Sequence, residues 1–167
     1  AQRLSPFYRE RLSGVEAAEL RSPADVARLP LTSADDIRAH GPRMLCVSPA
    51  EVERIVTLPT SGTTGTPKRI HFTADDQEST VDFFHHGMSV LVGPGRRVLI
   101  LLPGERPGSV GDLLRRGLAR MDVEGVVHGP VVDPDRTLRV LREGGFHCIV
   151  GIPVQVLGLA RRDAASG

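Results

Sequence analysis

The sequence predicts an α/β fold, a layered αβα subdomain with a largely parallel sheet. Short apolar runs alternate with amphipathic segments throughout the second half of the chain. One of these runs, at residues 97–102, is continuously apolar after its first arginine, as expected of a strand that helices cover on both faces. Such alternation predicts parallel strands joined by right-handed crossovers.

We expect one partial domain in three parts. Residues 1–52 should form a helical N-terminal segment, residues 53–73 a strand, a loop and a second strand, and residues 74–167 the alternating α/β subdomain. Within the first part, residues 4–29 carry short helical signals, and residues 30–37 have the pattern of a turn followed by a helix. The capping positions of these helices are Ser5-Pro6, Ser22-Pro23, and Thr32 or Ser33.

A long helix is predicted from Ala74 to about residue 92, because Thr73 and the acidic residues after it can cap a helix. The histidines His85 and His86 are interpreted as solvated helix positions rather than as metal ligands. Four apolar residues recur at helical spacing and should face the core: Val81, Phe84, Met88 and Leu91.

The remaining elements follow from apolar runs, capping residues and glycines. Five surface arginines are expected on solvated helix faces: Arg115, Arg116, Arg120, Arg139 and Arg142. The predicted strands lie at residues 53–58, 69–73, 97–102, within 124–132, and at 147–151. The predicted helices lie at residues 110–121, from Asp133-Pro134 to Gly144-Gly145, and from Pro153 onward.

Composition and charge exclude several classes of function. The 167 residues carry 21 basic and 20 acidic side chains, a balance that disfavours binding to nucleic acid or to a membrane surface. Cys46 and Cys148 lie far apart with no metal-ligand spacing, which indicates buried free thiols and a cytoplasmic protein. Because the first residue is Ala1, and the sequence opens within a pattern and stops just after a helical one, we expect a fragment of a longer chain.

The segment from Thr60 to Lys68 carries most of the functional information. Its glycines, Gly62 and Gly65, permit positive φ, so that successive backbone N–H groups can turn toward one anion. Hydroxyl side chains add donors, and Lys68 adds a compact positive charge. The alternative is a flexible linker, but linkers rarely join two apolar strands. The spacing of the glycines and the lysine also differs from that of the Walker A loop.

The same nine residues, TSGTTGTPK, match the pattern [ST]-S-G-[ST]-T-G-x-P-K at every specified position. The segment resembles the phosphate loop of the adenylate-forming superfamily, and flanking segments are similar to its phenylacetate–CoA ligase branch. The residues that carry this wider similarity are Ser5-Pro6-Phe7-Tyr8-Arg9, Leu29-Pro30-Leu31-Thr32, Asp35-Asp36-Ile37-Arg38, Thr73 with Asp75-Asp76, and Ile149 to Pro153 with Leu157, Leu159 and Ala160.

The resemblance implies part of the large N-terminal domain of an adenylate-forming enzyme. Such an enzyme activates a small-molecule carboxylate with ATP and Mg²⁺ and then forms a thioester with coenzyme A. The implied nucleotide-binding residues are Thr60, Ser61, Gly62, Thr63, Thr64, Gly65, Thr66 and Lys68. Thr60 has the alternative role of ending the strand before the loop. Lys68 is also the implied catalytic residue, with structural support of the loop as the alternative, and no metal ligand is assigned in this chain.

Three hypotheses about function stay open on the sequence alone. The favoured one is an acyl- or aryl-CoA ligase whose later motifs are missing here, so that the fragment is inactive by itself and depends on the remainder of the chain. The others are an adenylation enzyme that loads a carrier protein, and a non-catalytic nucleotide-binding module. A homo-oligomer is compatible with each.

One segment and two histidines bear on the identity of the carboxylic acid substrate and on catalysis. Residues 104–111 are more polar than the pocket-lining stretch of the resembling family, so the acid need not be phenylacetate. His71 is interpreted as a strand-face residue. His128, at the end of a strand, could reach a ligand crevice or could simply pack.

Overall fold

The computed structural model describes residues 1–58 and 67–166. They form two compact units, one up to Ala74 and one from Asp75 onward. No helix in either described range is long and apolar enough to cross a membrane.

The first unit contains short helices followed by a hairpin. Its α-helices are α1 (Pro6–Arg11), α2 (Pro23–Val26) and α3 (Ala34–His40), and its 3₁₀ helices are Ala17–Glu19, Gly41–Met44 and Pro49–Glu51. Proline follows the capping serine in α1 and α2, and Ser33 rather than Thr32 caps α3 by accepting a hydrogen bond from the backbone N–H of Asp36. The fully buried Ser5 donates a hydrogen bond of 2.9 Å to the carbonyl of Arg43, which fixes the start of α1 on the 3₁₀ helix Gly41–Met44.

The hairpin consists of β1 (Val52–Leu58) and β2 (Lys68–Thr73), paired antiparallel. Leu58 lies opposite Lys68 at one end, and Val52 lies opposite Thr73 at the other, with one irregularity of register next to Val52. Both predicted strands are therefore confirmed, and each begins one residue earlier than the sequence indicates.

The second unit is a three-layer αβα arrangement around a parallel sheet. The strands are β3 (Arg97–Leu101), β4 (Glu124–Val127) and β5 (Cys148–Gly151), in the spatial order β4-β3-β5. The helices are α4 (Ala74–Ser89), α5 (Val110–Ala119), α6 (Pro134–Glu143) and α7 (Pro153–Ser166). The predicted fold class and the order of its elements are confirmed.

The central strand β3 places its side chains alternately on the two faces of the sheet. Val98 and Ile100 pack with residues of α4 and α5, whereas Leu99 and Leu101 pack with residues of α6 and α7. All four side chains are completely buried. A strand that is covered on both faces needs apolar residues at every position, which explains the continuous apolar run.

The structure corrects three predictions, two of which concern helix α4. The helix ends at Ser89 rather than near residue 92, so Leu91 lies beyond it and is 68% exposed instead of facing the core. His85 is half-buried rather than solvated, and its buried Nδ1 has no hydrogen-bond partner among the described residues. Cys46 and Cys148 are free, as predicted, but half-buried rather than buried.

The close approach of α4 and α5 depends on a glycine. A Cβ atom added at Gly117 would lie 2.9 Å from the carbonyl oxygen of Val81 and 3.0 Å from the backbone nitrogen of His85. At this crossing Arg116 of α5 and Arg120, which directly follows α5, form ion pairs with Glu78 of α4, and Arg120 also pairs with Asp82. Both arginines are exposed, as predicted, and in addition they connect α5 with α4.

Candidate functional site

The candidate site begins at the open end of the β1–β2 hairpin. Since Leu58 and Lys68 are register partners, the chain leaves β1 and enters β2 at the same end of the ladder. Of the predicted phosphate-binding residues, only Lys68 is described. The others lie outside the described residues: Thr60, Ser61, Gly62, Thr63, Thr64, Gly65 and Thr66.

Lys68 is the first residue of β2, and its side chain is half-buried. Within the described ranges, no carboxylate forms an ion pair with it. Many arginines of the chain are, by contrast, paired with carboxylates at distances such as 2.6 Å for Arg43 and Glu10. The ammonium of Lys68 is therefore available to a phosphate group, whose negative charge it would balance.

A second feature that is typical of binding sites lies at the carboxyl ends of the strands in the parallel sheet. The connection after β3 leads to α5 on one face, and the connection after β4 leads to α6 on the other face. Where neighbouring connections diverge in this way, open α/β sheets form a crevice that commonly receives a ligand.

His128 directly follows β4 at this edge and is half-buried. The backbone N–H groups of His128 and Gly129 both donate to the carbonyl of Ile100, at 3.0 and 3.2 Å, which holds the bend at the end of β4. The Nδ1 atom of His128 lies 3.3 Å from the carbonyl oxygen of Gly129, its neighbour in the chain. The prediction that His128 lies at a strand end is confirmed, and its role as a ligand contact stays a prediction.

The polar segment after β3 is tightly packed on itself. The N–H of Gly111 donates to the carbonyl of Pro103 at 2.8 Å, and a Cβ atom at Gly111 would lie 2.9 Å from that same oxygen. Asp112 accepts a hydrogen bond of 2.9 Å from the N–H of Gly108. Burial raises the pKa of Asp112, but the hydrogen bonds from Arg115 and Gly108 outweigh it and leave this pKa below its usual value. The ionised carboxylate of Asp112 thus holds the loop against the first turn of α5.

The described residues contain no group of three or more His, Cys, Asp or Glu side chains that could hold a metal ion. They therefore do not fit a protein-built magnesium site. Magnesium often binds through substrate phosphates with only one or two carboxylates, so this finding bears on the chain and not on the nucleotide.

No protein-family model matches this chain, and no curated protein sequence does. Among solved structures, the chain is similar to 2-hydroxyisobutyryl-CoA ligase in complex with 2-HIB-AMP and CoA in the thioesterification state. The TM-score is 0.79 at 22% identity, over 96% of this chain and 36% of that one. The fold matches part of an acyl-CoA ligase.

Two further structures of that ligase give the same result. Its open conformation with 2-HIB-AMP and CoA matches with a TM-score of 0.79 at 19% identity, over 99% of this chain and 37% of that one. Its postadenylation state with 2-HIB-AMP matches with a TM-score of 0.76 at 20% identity, over 96% and 35% of the respective chains. This chain thus spans little more than a third of the ligase, and the likeness concerns the fold.

One pair of hydroxyl groups in the first unit was not predicted from the sequence. The hydroxyls of Tyr8 and Thr32 lie 3.1 Å apart, beside the half-buried His71 of β2. These residues come from α1, from the turn before α3 and from β2, and no spacing in the sequence relates them. His71 lies in β2, as predicted, and its role stays a prediction.

Proposed function

We propose that this chain is part of an ATP-dependent acyl- or aryl-CoA ligase that activates a carboxylate as acyl-AMP, releases pyrophosphate, and then forms a CoA thioester. The observation that carries this proposal is the position of the phosphate-loop sequence. It joins two paired strands in a chain whose fold matches part of a ligase crystallised with acyl-AMP and CoA. A Walker-type loop would instead connect a strand to a helix.

In the proposed reaction this chain's residues hold the leaving group. Backbone N–H groups and hydroxyls of residues 60–66 would donate to the β- and γ-phosphates, and the ammonium of Lys68, which has no ion pair within the described residues, would balance their charge. Attack of the carboxylate oxygen on the α-phosphate forms the acyl–phosphate bond and breaks the bond to pyrophosphate. Alignment and charge stabilisation dominate such a step. The remainder of the full-length chain would supply adenine, ribose and magnesium contacts.

The decisive experiment is carboxylate-dependent exchange of radioactive pyrophosphate into ATP by the full-length protein, across a panel of aliphatic and aromatic acids. Exchange with one class of acid supports adenylation and identifies the acid. Adding CoA then separates the ligase, which forms a thioester, from an enzyme that loads a carrier protein. Absence of exchange with every acid, in a protein that still binds ATP, would favour the non-catalytic module.

A further inference from the structure

A cleft of about 260 Å³ opens within the first unit, against β2. It lies among α1, α3, the 3₁₀ turn that follows α3, and the strand. None of the residues that line it is acidic. Its polar lining comprises Tyr8, Thr32, Arg69 and His71, and its apolar lining includes Ile37 and Met44.

The polar groups of the cleft have unused capacity to donate hydrogen bonds. Tyr8 and Thr32 share one hydrogen bond of 3.1 Å, and each hydroxyl carries one hydrogen, so one hydrogen of the pair is left for a ligand. Arg69 is exposed and His71 is half-buried. Neither side chain has an ion pair or hydrogen bond within residues 1–58 and 67–166. The cleft therefore offers a hydroxyl, a guanidinium and an imidazole to an acceptor.

Asp36 is adjacent in sequence to the lining residue Ile37, and its carboxylate is already engaged by other groups. Asp36, which precedes Ile37 in α3, lies 3.5 Å from Arg11 and accepts a hydrogen bond of 2.8 Å from the N–H of Ser33. Both contacts engage the Oδ2 atom of this carboxylate. A ligand in the cleft would meet the guanidinium of Arg69 without competition from a carboxylate of the lining.

The size of the cleft limits its occupant. Pockets for drug-sized ligands span roughly 300–1,000 Å³, so a cleft below that range suits a smaller molecule. A lining that combines apolar side chains with a cation favours an anion with an apolar body over inorganic phosphate. We propose that this cleft binds a small monocarboxylate with an apolar chain. The proposal goes beyond the adenylation reaction, because it involves neither residues 60–68 nor a nucleotide.

The chain contains an internal reporter for this site. Tyr8 is its single tyrosine and it has no tryptophan, so tyrosine fluorescence reports on the cleft alone. The experiment titrates the 167-residue chain with hexanoate at constant ionic strength and without nucleotide, and it repeats the titration with hexan-1-ol and with inorganic phosphate. Equilibrium dialysis with hexanoate gives an independent measure of binding.

We expect saturable binding of hexanoate, and binding at least about tenfold weaker for the neutral alcohol and for phosphate, since each lacks half of the complementary chemistry. Arg69→Gln and His71→Gln should each weaken hexanoate binding by about tenfold. Arg96→Gln, which removes an exposed arginine of the second unit, should leave binding unchanged. Circular dichroism verifies that each variant is folded.

The proposal is overturned if dialysis detects no uptake of hexanoate, if hexan-1-ol or phosphate binds as well as hexanoate does, or if Arg96→Gln weakens binding as much as Arg69→Gln. Its failure is distinguishable from failure of the proposed ligase function. Lys68→Ala should reduce pyrophosphate binding and leave hexanoate binding intact. Arg69→Gln should reduce hexanoate binding and leave pyrophosphate binding intact.

Discussion

Leu58 and Lys68 face each other across the antiparallel ladder, and this pair marks the end of the hairpin from which the phosphate-loop sequence extends. The lysine is therefore a strand residue with a backbone position set by β1. Its charge has no carboxylate partner among the residues that the structure describes. A fixed position and an unbalanced charge are what a counter-charge for phosphate requires.

We therefore expect Lys68→Ala to weaken binding of pyrophosphate or ATP by about tenfold or more, because a hydrogen bond to a charged group contributes roughly 1.5–3 kcal/mol. Isothermal titration calorimetry on the full-length protein measures the effect. Arg69→Gln is the matched control, since it removes the same charge at the next position of the strand, where side chains point to the other face. Equal losses in the two variants would show that Lys68 contributes only to the general positive field.

The sequence predicts the sheet well because its signals are local. The central strand β3 is an apolar run after Arg97, and a capping serine, aspartate or proline marks the start of several helices. The same local reasoning extends α4 too far, because Leu91 continues the helical spacing after the helix has ended at Ser89. Periodicity states which face a residue would take, but it does not state where the helix stops.

Features that depend on distant residues are not visible in the sequence. The pairing of Arg120 with Glu78 joins two helices, and the hydroxyls of Tyr8 and Thr32 meet because α1 packs against the segment before α3. The candidate site shows the same division. Nine consecutive residues predict its chemistry, whereas only the structure shows that Leu58 pairs with Lys68.

The apolar positions of α4 provide a direct test of where that helix ends. Met88 is 7% exposed and packs in the core, whereas Leu91 is 68% exposed. Met88→Ala should lower the free energy of unfolding by about 2–5 kcal/mol. Leu91→Ala should change it by no more than about 0.5 kcal/mol. Urea denaturation followed by circular dichroism compares the two, and similar losses would mean that Leu91 also contributes to the core.

The α4–α5 crossing predicts opposite effects for one substitution at two glycines. Gly117→Ala would place a methyl group 2.9 Å from the backbone oxygen of Val81, so the helices would have to separate, at a cost of about 1–3 kcal/mol. Gly87→Ala has nothing within 4 Å of the new Cβ and should stabilise α4 by about 0.5–1 kcal/mol, because alanine loses less backbone entropy than glycine. The same denaturation measurement applies. A stabilising Gly117→Ala would contradict the close contact.

The ion pair between Arg97 and Glu124 predicts a pH dependence of stability. Arg97 donates to both carboxylate oxygens of Glu124, at 2.8 and 3.1 Å, and connects the starts of β3 and β4. These side-chain hydrogen bonds hold the pKa of Glu124 below its usual value, and the pKa of Arg97 above its own. A carboxyl whose pKa is lower in the folded state than in the unfolded state stabilises the fold above the unfolded pKa. That contribution is lost as the pH falls through the folded pKa.

Glu124→Gln should therefore reduce the free energy of unfolding near neutral pH, and its cost should disappear in acid, once the wild-type carboxyl is protonated in both states. Denaturant unfolding at a series of pH values, from neutral to below the folded pKa, measures the difference between the two proteins. Glu105→Gln is the control, because Glu105 is exposed and has no ion pair within the described ranges. The free energy of unfolding of this variant, plotted against pH, should run parallel to that of the wild type. A cost of Glu124→Gln that stays constant down to acid would mean that Glu124 stabilises the sheet by packing and not by its charge.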